Sequence, residues 1–314
     1  MQSYVIRRVG IAVVSAAVMA GASACGGGTG AKDGGAQDGA AKESAGKQTG
    51  GDAGSGFSPL SMLRTVQQKT GEAKSAKVET TMQVGSAVNT HSEGVLGWSD
   101  GVTGTMQVTQ QGGQLAEAQK KAGNPATSEA RYVRDGYYAR MGDAFAQQIG
   151  GKHWIYYSYD AMAELLGPSG AMLKDQLQNS SPDQGVKGLL ASGDVKKVGE
   201  ENVRGVAATH YAGTVDVAKL AEKNSTLDKA QLDAYKAQLT QAGITTEQID
   251  IWVDKDNLLV KKTEKASTKS GPLNSTAFYS DYGTPAAVEK PAASDTADFA
   301  EIMKKEKQKA GAAS

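Results

Sequence analysis

Along the chain the apolar positions first fall into one run, Val9 to Ala22, preceded by Arg7 and Arg8 and followed by Ser23, Ala24 and Cys25. A positive start, a short apolar stretch and small residues at its end predict a secretory signal over 1–24. The run is too short, and too soon followed by Gly, to span a bilayer as a helix. From 26 to 56 the apolar signal vanishes: 12 of 31 residues are Gly and none is Leu, Ile, Val, Met or aromatic. Such a segment has no apolar surface to offset its ordering entropy, which predicts a flexible tether with a reach of about 30 Å.

Periodicity returns at residue 57. Ser58-Pro59 followed by Leu60, Leu63, Val66 and Gln67 predicts an N-cap, a Pro at the first helical position and an amphipathic helix to Ala73. Alternation with period two then places Val78, Thr80, Met82 and Val84 on one face of a strand, Leu96 and Trp98 on a second, and Met106 and Val108 on a third. Ser99-Asp100-Gly101 is the turn between the last two. Arg131 to Arg134, the turn Asp135-Gly136 and Tyr137 to Met141 predict a hairpin, and His153 to Ser158 another strand.

Helical spacing takes over in Asp160 to Leu166, Ala171 to Gln178 and Asp183 to Ala191, with breaks at Pro168 and Pro182. Strands resume over Val195 to Val198 and Val206 to Val215, a helix spans Leu227 to Ala242, and further strands cover Gln248 to Asp254, Leu258 to Ala266 and Ser275 to Tyr282. About ten sequential antiparallel strands with helices inserted among them predict an α+β fold built on one large sheet. The domain covers 57–291, and 292–314 is a charged tail. No repeat of 20 to 50 residues is visible.

Composition narrows the function. Across 314 residues, 34 Lys and Arg balance 34 Asp and Glu, so there is no basic face for nucleic acid. Removal of the signal leaves 32 basic residues against 34 acidic ones, and no polybasic patch draws the domain onto anionic lipid. One cysteine can form neither an intramolecular disulfide nor a multi-cysteine metal site. That cysteine, Cys25, follows Ala22-Ser23-Ala24 directly, a stretch that resembles the lipobox of bacterial lipoproteins, whose commonest pattern has Leu in place of Ala22. The resemblance implies that Cys25 becomes the first mature residue and carries a diacylglycerol, holding the protein on the outer face of the cytoplasmic membrane.

A wider resemblance rests on Gly205-Val206-Ala207-Ala208-Thr209-His210-Tyr211 leading into Thr214-Val215-Asp216, on Ile249-Asp250-Ile251-Trp252-Val253-Asp254, and on Phe278-Tyr279-Ser280-Asp281-Tyr282-Gly283 with Val288 and Pro291. With the N-terminal helix and central helices, these segments resemble the LppX/LprG group of actinobacterial lipoproteins, which is similar in fold to the LolA/LolB carriers. The resemblance implies a curved half-barrel with helices closing over its concave face around a cavity for lipid chains. Met82, Val84, Leu96, Met106 and Val108 would line the sheet side of that cavity, and Leu165, Leu166, Met172, Leu173, Leu189 and Leu190 the helices. Aromatics are sparse at these positions. The expected partners are lipid or lipoglycan acyl chains and the membrane; the alternative is a regulatory or interaction module with a packed core that engages an envelope membrane protein. A monomer is expected.

Catalytic patterns do not assemble. Gly97-Trp98-Ser99-Asp100-Gly101 matches the G-x-S-x-G elbow, but that elbow needs a strand-to-helix turn, and the residues after it continue as a strand. His91, His153 and His210 are far apart. His91-Ser92-Glu93 puts a histidine and a carboxylate on one strand face, which reads as a solvated pair and not as a metal site. No phosphate-binding glycine loop follows a strand. Asn179-Ser180-Ser181, Asn224-Ser225-Thr226 and Asn274-Ser275-Thr276 fit the glycosylation pattern by chance. No enzyme activity and no cofactor are expected.

Overall fold

The computed structural model describes residues 58–219 and 229–311, so the expected signal, Cys25 and the tether lie outside the described residues. Helix α1 (Pro59–Glu72) begins where the sequence predicts: the Ser58 hydroxyl accepts from the Ser61 amide at 3.2 Å, Pro59 fills the first turn, and Leu63 and Val66 are fully buried.

Twelve strands form one open sheet. From its middle, β1 (Ser75–Val84), β2 (Val88–Gly97), β3 (Thr103–Gly112), β4 (Thr127–Val133), β5 (Gly136–Arg140) and β6 (Trp154–Ser158) run outward in sequence order. On the other side β7 (Lys196–Val203), β8 (Val206–Asp216), β9 (Thr246–Val253), β10 (Leu259–Thr268) and β11 (Gly271–Ser280) run back inward, and β11 pairs with β1. All these pairings are antiparallel. The curved sheet ends at unpaired edges and does not close into a barrel.

Helices α4 (Tyr159–Leu166), α5 (Pro168–Asn179) and α6 (Asp183–Ser192) interrupt the strands after β6, and α7 (Lys229–Ala242) precedes β9. Among the described residues no helix is long and apolar enough to cross a membrane. The helices meet the inner face of the sheet, where Leu63, Val66, Met162, Leu177, Val186 and Leu189 pack against strand residues such as Val78, Leu96 and Met106. The outer face carries a clasp. At the β7–β8 turn Arg204 donates from both terminal nitrogens to Glu79 on β1 (2.6 and 2.9 Å) and lies 3.5 Å over the Phe278 ring of β11.

The α+β class and single large sheet are as the sequence predicts, and additions fall in three places. Helix α2 (Gly113–Lys121), between β3 and β4, buries no residue fully. It has no apolar stripe for periodicity to detect. Helix α3 (Asp143–Ala146) is a single turn. The third addition corrects the tail expected from 292: β12 (Thr296–Asp298) adds a parallel strand beyond β6, and α8 (Phe299–Gly311) continues from it. Ala297 and Phe299 are buried, the Phe299 ring stands 4.9 Å from Tyr157, and Asp295 accepts from the His153 amide at 2.9 Å. Two buried residues in a charged sequence drive this docking. The three-residue strand that contains Ala297 is too short to show alternation in the sequence.

Truncating the Phe299 ring removes the largest apolar contact that holds β12 and α8 to the sheet. Phe299→Ala should cost about 3 kcal/mol, read as a lower thermal midpoint by circular dichroism; an unchanged midpoint would mean that the C-terminal segment does not add to the core.

Candidate functional site

Of the residues expected to line a cavity, Leu96, Met106, Val108 and Leu189 are buried together in the main core, with Leu165, Leu173 and Leu190 partly buried against it. Val84 lies elsewhere, in a second cluster with Val217, Leu239, Ile244, Ala266 and Leu273, and Met82 packs against that cluster. Leu166 is not brought in: it is 37% exposed, because the α4–α5 junction at Gly167 leaves it at the helix end. The Met172 side chain lies outside the described residues. Nor are aromatics sparse on the inner face. Tyr132, Tyr137 and Tyr157 lie opposite one another on β4, β5 and β6, all buried, with Tyr137 and Tyr157 stacked at 4.8 Å.

Between the two apolar clusters the inner face turns polar. Strand register sets Gln110, Thr90, Met82, Ser275 and Glu264 side by side across β3, β2, β1, β11 and β10. The next row is Ser92, Thr80, Ala277 and Lys262. At an interstrand spacing near 4.8 Å the longer row extends about 19 Å. Val78, Leu96, Met106 and Tyr279 flank this belt on one side, and Val84, Leu273 and Ala266 on the other. The oxygens of Thr80, Thr90 and Ser92, both ends of the Gln110 amide and Glu247 Oε1 are buried without a hydrogen-bond partner among the described residues. An unpaired buried polar group costs about 1–3 kcal/mol, so the belt is a concentration of unmet bonding capacity.

Its charged part is paired. Lys262 Nζ donates to Glu264 Oε1 at 2.5 Å, and both side chains are at most 10% exposed. Burial, the largest single influence, would discharge the ammonium, but Glu264, Tyr279 and Glu247 together outweigh it and the Lys262 pKa is raised. Glu247, opposite Ala266 on β9, has its carboxyl pushed up to about 8, by burial first and then by the charge of Glu264, against the pull of Lys262. Helix α6 lies directly on the lysine stem: a Cβ on Gly185 would stand 2.6 Å from the Lys262 Cδ. A cleft with about 40 Å³ of water-accessible volume opens over Thr80, Ser275, Lys262 and Glu264, roofed by Ser180, Ser181 and Pro182 between α5 and α6. Trp98 forms one wall and is fixed by donating to the Thr70 carbonyl at 3.3 Å.

The other candidates fall outside this belt. Ser99 is exposed in the turn before β3, so the strand-to-helix elbow of a hydrolase is not formed there. His91 lies 3.9 Å from Glu93 as a surface pair, and His153 Nδ1 lies 2.8 Å from Asp295. His210 is on the outer face, with Nδ1 and Nε2 each 2.8 Å from a carboxylate, Glu201 and Asp250, and its ring stacked on Trp252 at 4.2 Å. The hydrogen bonds from Trp252 and His210 lower the Glu201 pKa.

No family model matches the chain. A Streptomyces griseus protein named "Uncharacterized 31.2 kDa protein in rplA-rplJ intergenic region" is 60% identical over 247 residues, 79% of this chain and 81% of that one. "Putative lipoprotein SCO4650" of Streptomyces coelicolor is 44% identical over 241 residues, 77% of this chain and 75% of that one. The chain belongs to the family of these two Streptomyces proteins. Among solved structures, the Mycobacterium tuberculosis lipoprotein LppX is 14% identical with a TM-score of 0.43, the match covering 74% of this chain and 100% of that one. It belongs to the group that the sequence motifs resemble.

The sequence alone does not single out Thr90, Ser92, Gln110, Glu247, Lys262 and Glu264 in this family member. The signal available was the change from apolar to polar at alternate positions within one strand, as in Val108 to Gln110 or Leu96 to Ser92. Only the register between strands converts those breaks into a belt. The belt also makes stability depend on pH. A carboxyl that ionises at about 8 when folded and in its ordinary range near pH 4.3 when unfolded holds its proton more tightly in the folded chain. Its contribution is therefore complete below about pH 4 and lost as pH rises through 8, by up to about 1.4 kcal/mol per unit. Glu247→Gln removes the ionisation, so in denaturant unfolding its stability relative to the parent should climb between pH 5 and pH 8; a constant difference across that range would contradict the placement of this carboxyl.

Proposed function

We propose that the protein is exported, held on the outer face of the cell membrane by lipid on Cys25, and binds a lipid or lipid-linked molecule on the inner face of its sheet without catalysing a reaction. The observation that carries this reading is the alternation of apolar, polar and apolar zones along β1, β2 and β11, a surface complementary to an amphiphile. Once the helices packed on the apolar zones part, acyl chains would bury there at about 0.8 kcal/mol per methylene. A lone cysteine placed directly after three small residues and before a Gly-rich stretch supports the anchor, as does the name of the Streptomyces coelicolor relative.

A second reading, an interaction module for an envelope protein, is favoured by a different observation. Among the described residues strand β7 pairs only with β8 and leaves a mostly exposed edge, with Val198 57% exposed, and such edges accept an added strand. Two measurements separate and test these readings. Replacing Cys25 by Ala should abolish fatty-acid labelling and release the protein from the membrane fraction; equal labelling would remove the anchor from the proposal. Mass spectrometry of organic extracts from the purified protein should find a stoichiometric amphiphile. Extracts that stay empty, also after incubation with membrane lipids, would leave the interaction module as the better account.

A further inference from the structure

The belt on the inner face specifies more than a generic amphiphile. Its free atoms are three hydroxyl oxygens, the two ends of one primary amide and one carboxyl oxygen. Hydroxyls donate or accept, and the amide does both at fixed positions. The residues that bear these atoms are all more than nine-tenths buried, Thr90 and Ser92 almost completely. An alkyl chain laid across them would leave every one of these atoms unpaired. An anionic phosphate fares no better, because Lys262 is already paired with Glu264 at 2.5 Å and that carboxylate would face the phosphate. A cation would meet Lys262. What satisfies all of these atoms is an uncharged group that can both donate and accept at several points.

We propose that the belt is the seat of a neutral, hydroxyl-rich group, a sugar or polyol, held by Thr80, Thr90, Ser92 and Gln110. This rests on the reading of the inner face as a ligand surface and names the polar part of the ligand. The row from Gln110 to Glu264 extends about 19 Å at the usual strand spacing, long enough for more than one sugar ring. The cleft over its Lys262 end has about 40 Å³ of accessible volume and is lined by Thr80 but not by Thr90, Ser92 or Gln110; it has room for about three waters, so a ring reaches the seat only when the roof at Ser180–Pro182 and the helices packed on the inner face move. On one side of that roof α5 packs chiefly on α4 and α7; on the other, α6 is held in the main core by Val186 and Leu189.

The test uses the full chain with three probes below their micelle concentrations: dodecyl maltoside, maltose, and dodecylphosphocholine, which shares the alkyl chain but carries a charged head. Binding is read by thermal shift and calorimetry on the parent, on Thr90→Val with Gln110→Leu, and on Ser92→Ala as a milder second variant. Each substitution removes an unpaired buried polar group, so the variants should fold with unchanged or higher thermal midpoints. Dodecyl maltoside should bind the parent at least tenfold more tightly than dodecylphosphocholine does, and the double variant should lose at least tenfold of that affinity, with Ser92→Ala in between. If both detergents bind equally and the variants change nothing, the sugar seat is overturned while the amphiphile reading stands. If maltose binds as well as its alkyl glycoside and the variants abolish both, the seat stands and the lipid reading falls. If none of the three probes binds the parent, both are overturned.

Discussion

The pairing of β1 with β11 is the constraint on which the molecule depends. Lys77 to Val84 pair with Leu273 to Ser280, residues about 200 positions apart in sequence, and this ladder joins a half-sheet built outward from the N-terminal side to one built inward from the C-terminal side. Until it forms, each half is a meander with an open edge at its centre. Contacts of such sequence separation must overcome loop-closure entropy before they return any stability. The Arg204 clasp sits on this join, bonded to Glu79 of β1 and stacked on Phe278 of β11. A bidentate guanidinium and a ring on adjacent strands therefore brace from outside the ladder that the helices cover from inside.

The polar belt exists only because of that join. Thr80 and Met82 come from β1, Ala277 and Ser275 from β11, and each row continues into strands contributed by opposite ends of the chain. The belt opposes folding, since it strips water from groups it does not pair; the apolar zones on either side supply the offsetting burial. At the far end of the sheet the phenols of Tyr137, Tyr157 and Tyr159 are likewise buried and unpartnered, and burial raises the pKa of each of the three. Polar atoms without partners thus recur along the inner face, whereas the polar groups of the outer face are satisfied in pairs and triads such as Glu201, His210 and Asp250.

Much of the fold is legible in the sequence because alternation and helical spacing are local. Val78, Thr80, Met82 and Val84 do share a face, Pro168 starts α5, and Pro182 stands immediately before α6. What is not legible depends on neighbours. Val84 and Leu96 look equivalent as apolar strand positions, yet the register sends one to the small cluster around Leu239 and the other to the main core. Lys262 and Glu264 stand in a run, Lys261 to Lys265, that holds no apolar residue. Only the placement of α6 over that strand, through Gly185, buries two of its charges. The docking of β12 was hidden for the same reason, since its partner β6 lies about 140 residues earlier.

The central position of β1 also has a mechanical side. Helix α1 leads into β1 through a two-residue link, Ala73-Lys74, so tension applied ahead of Ser58 is delivered to a strand bonded along nearly its whole length on both flanks. Extracting it requires two ladders to fail together, whereas a pull from the C-terminal end meets α8 and then only the three-residue ladder of β12 on β6. The chain is therefore polarised as a load-bearing object, tough when held by its front and easily unravelled from its back.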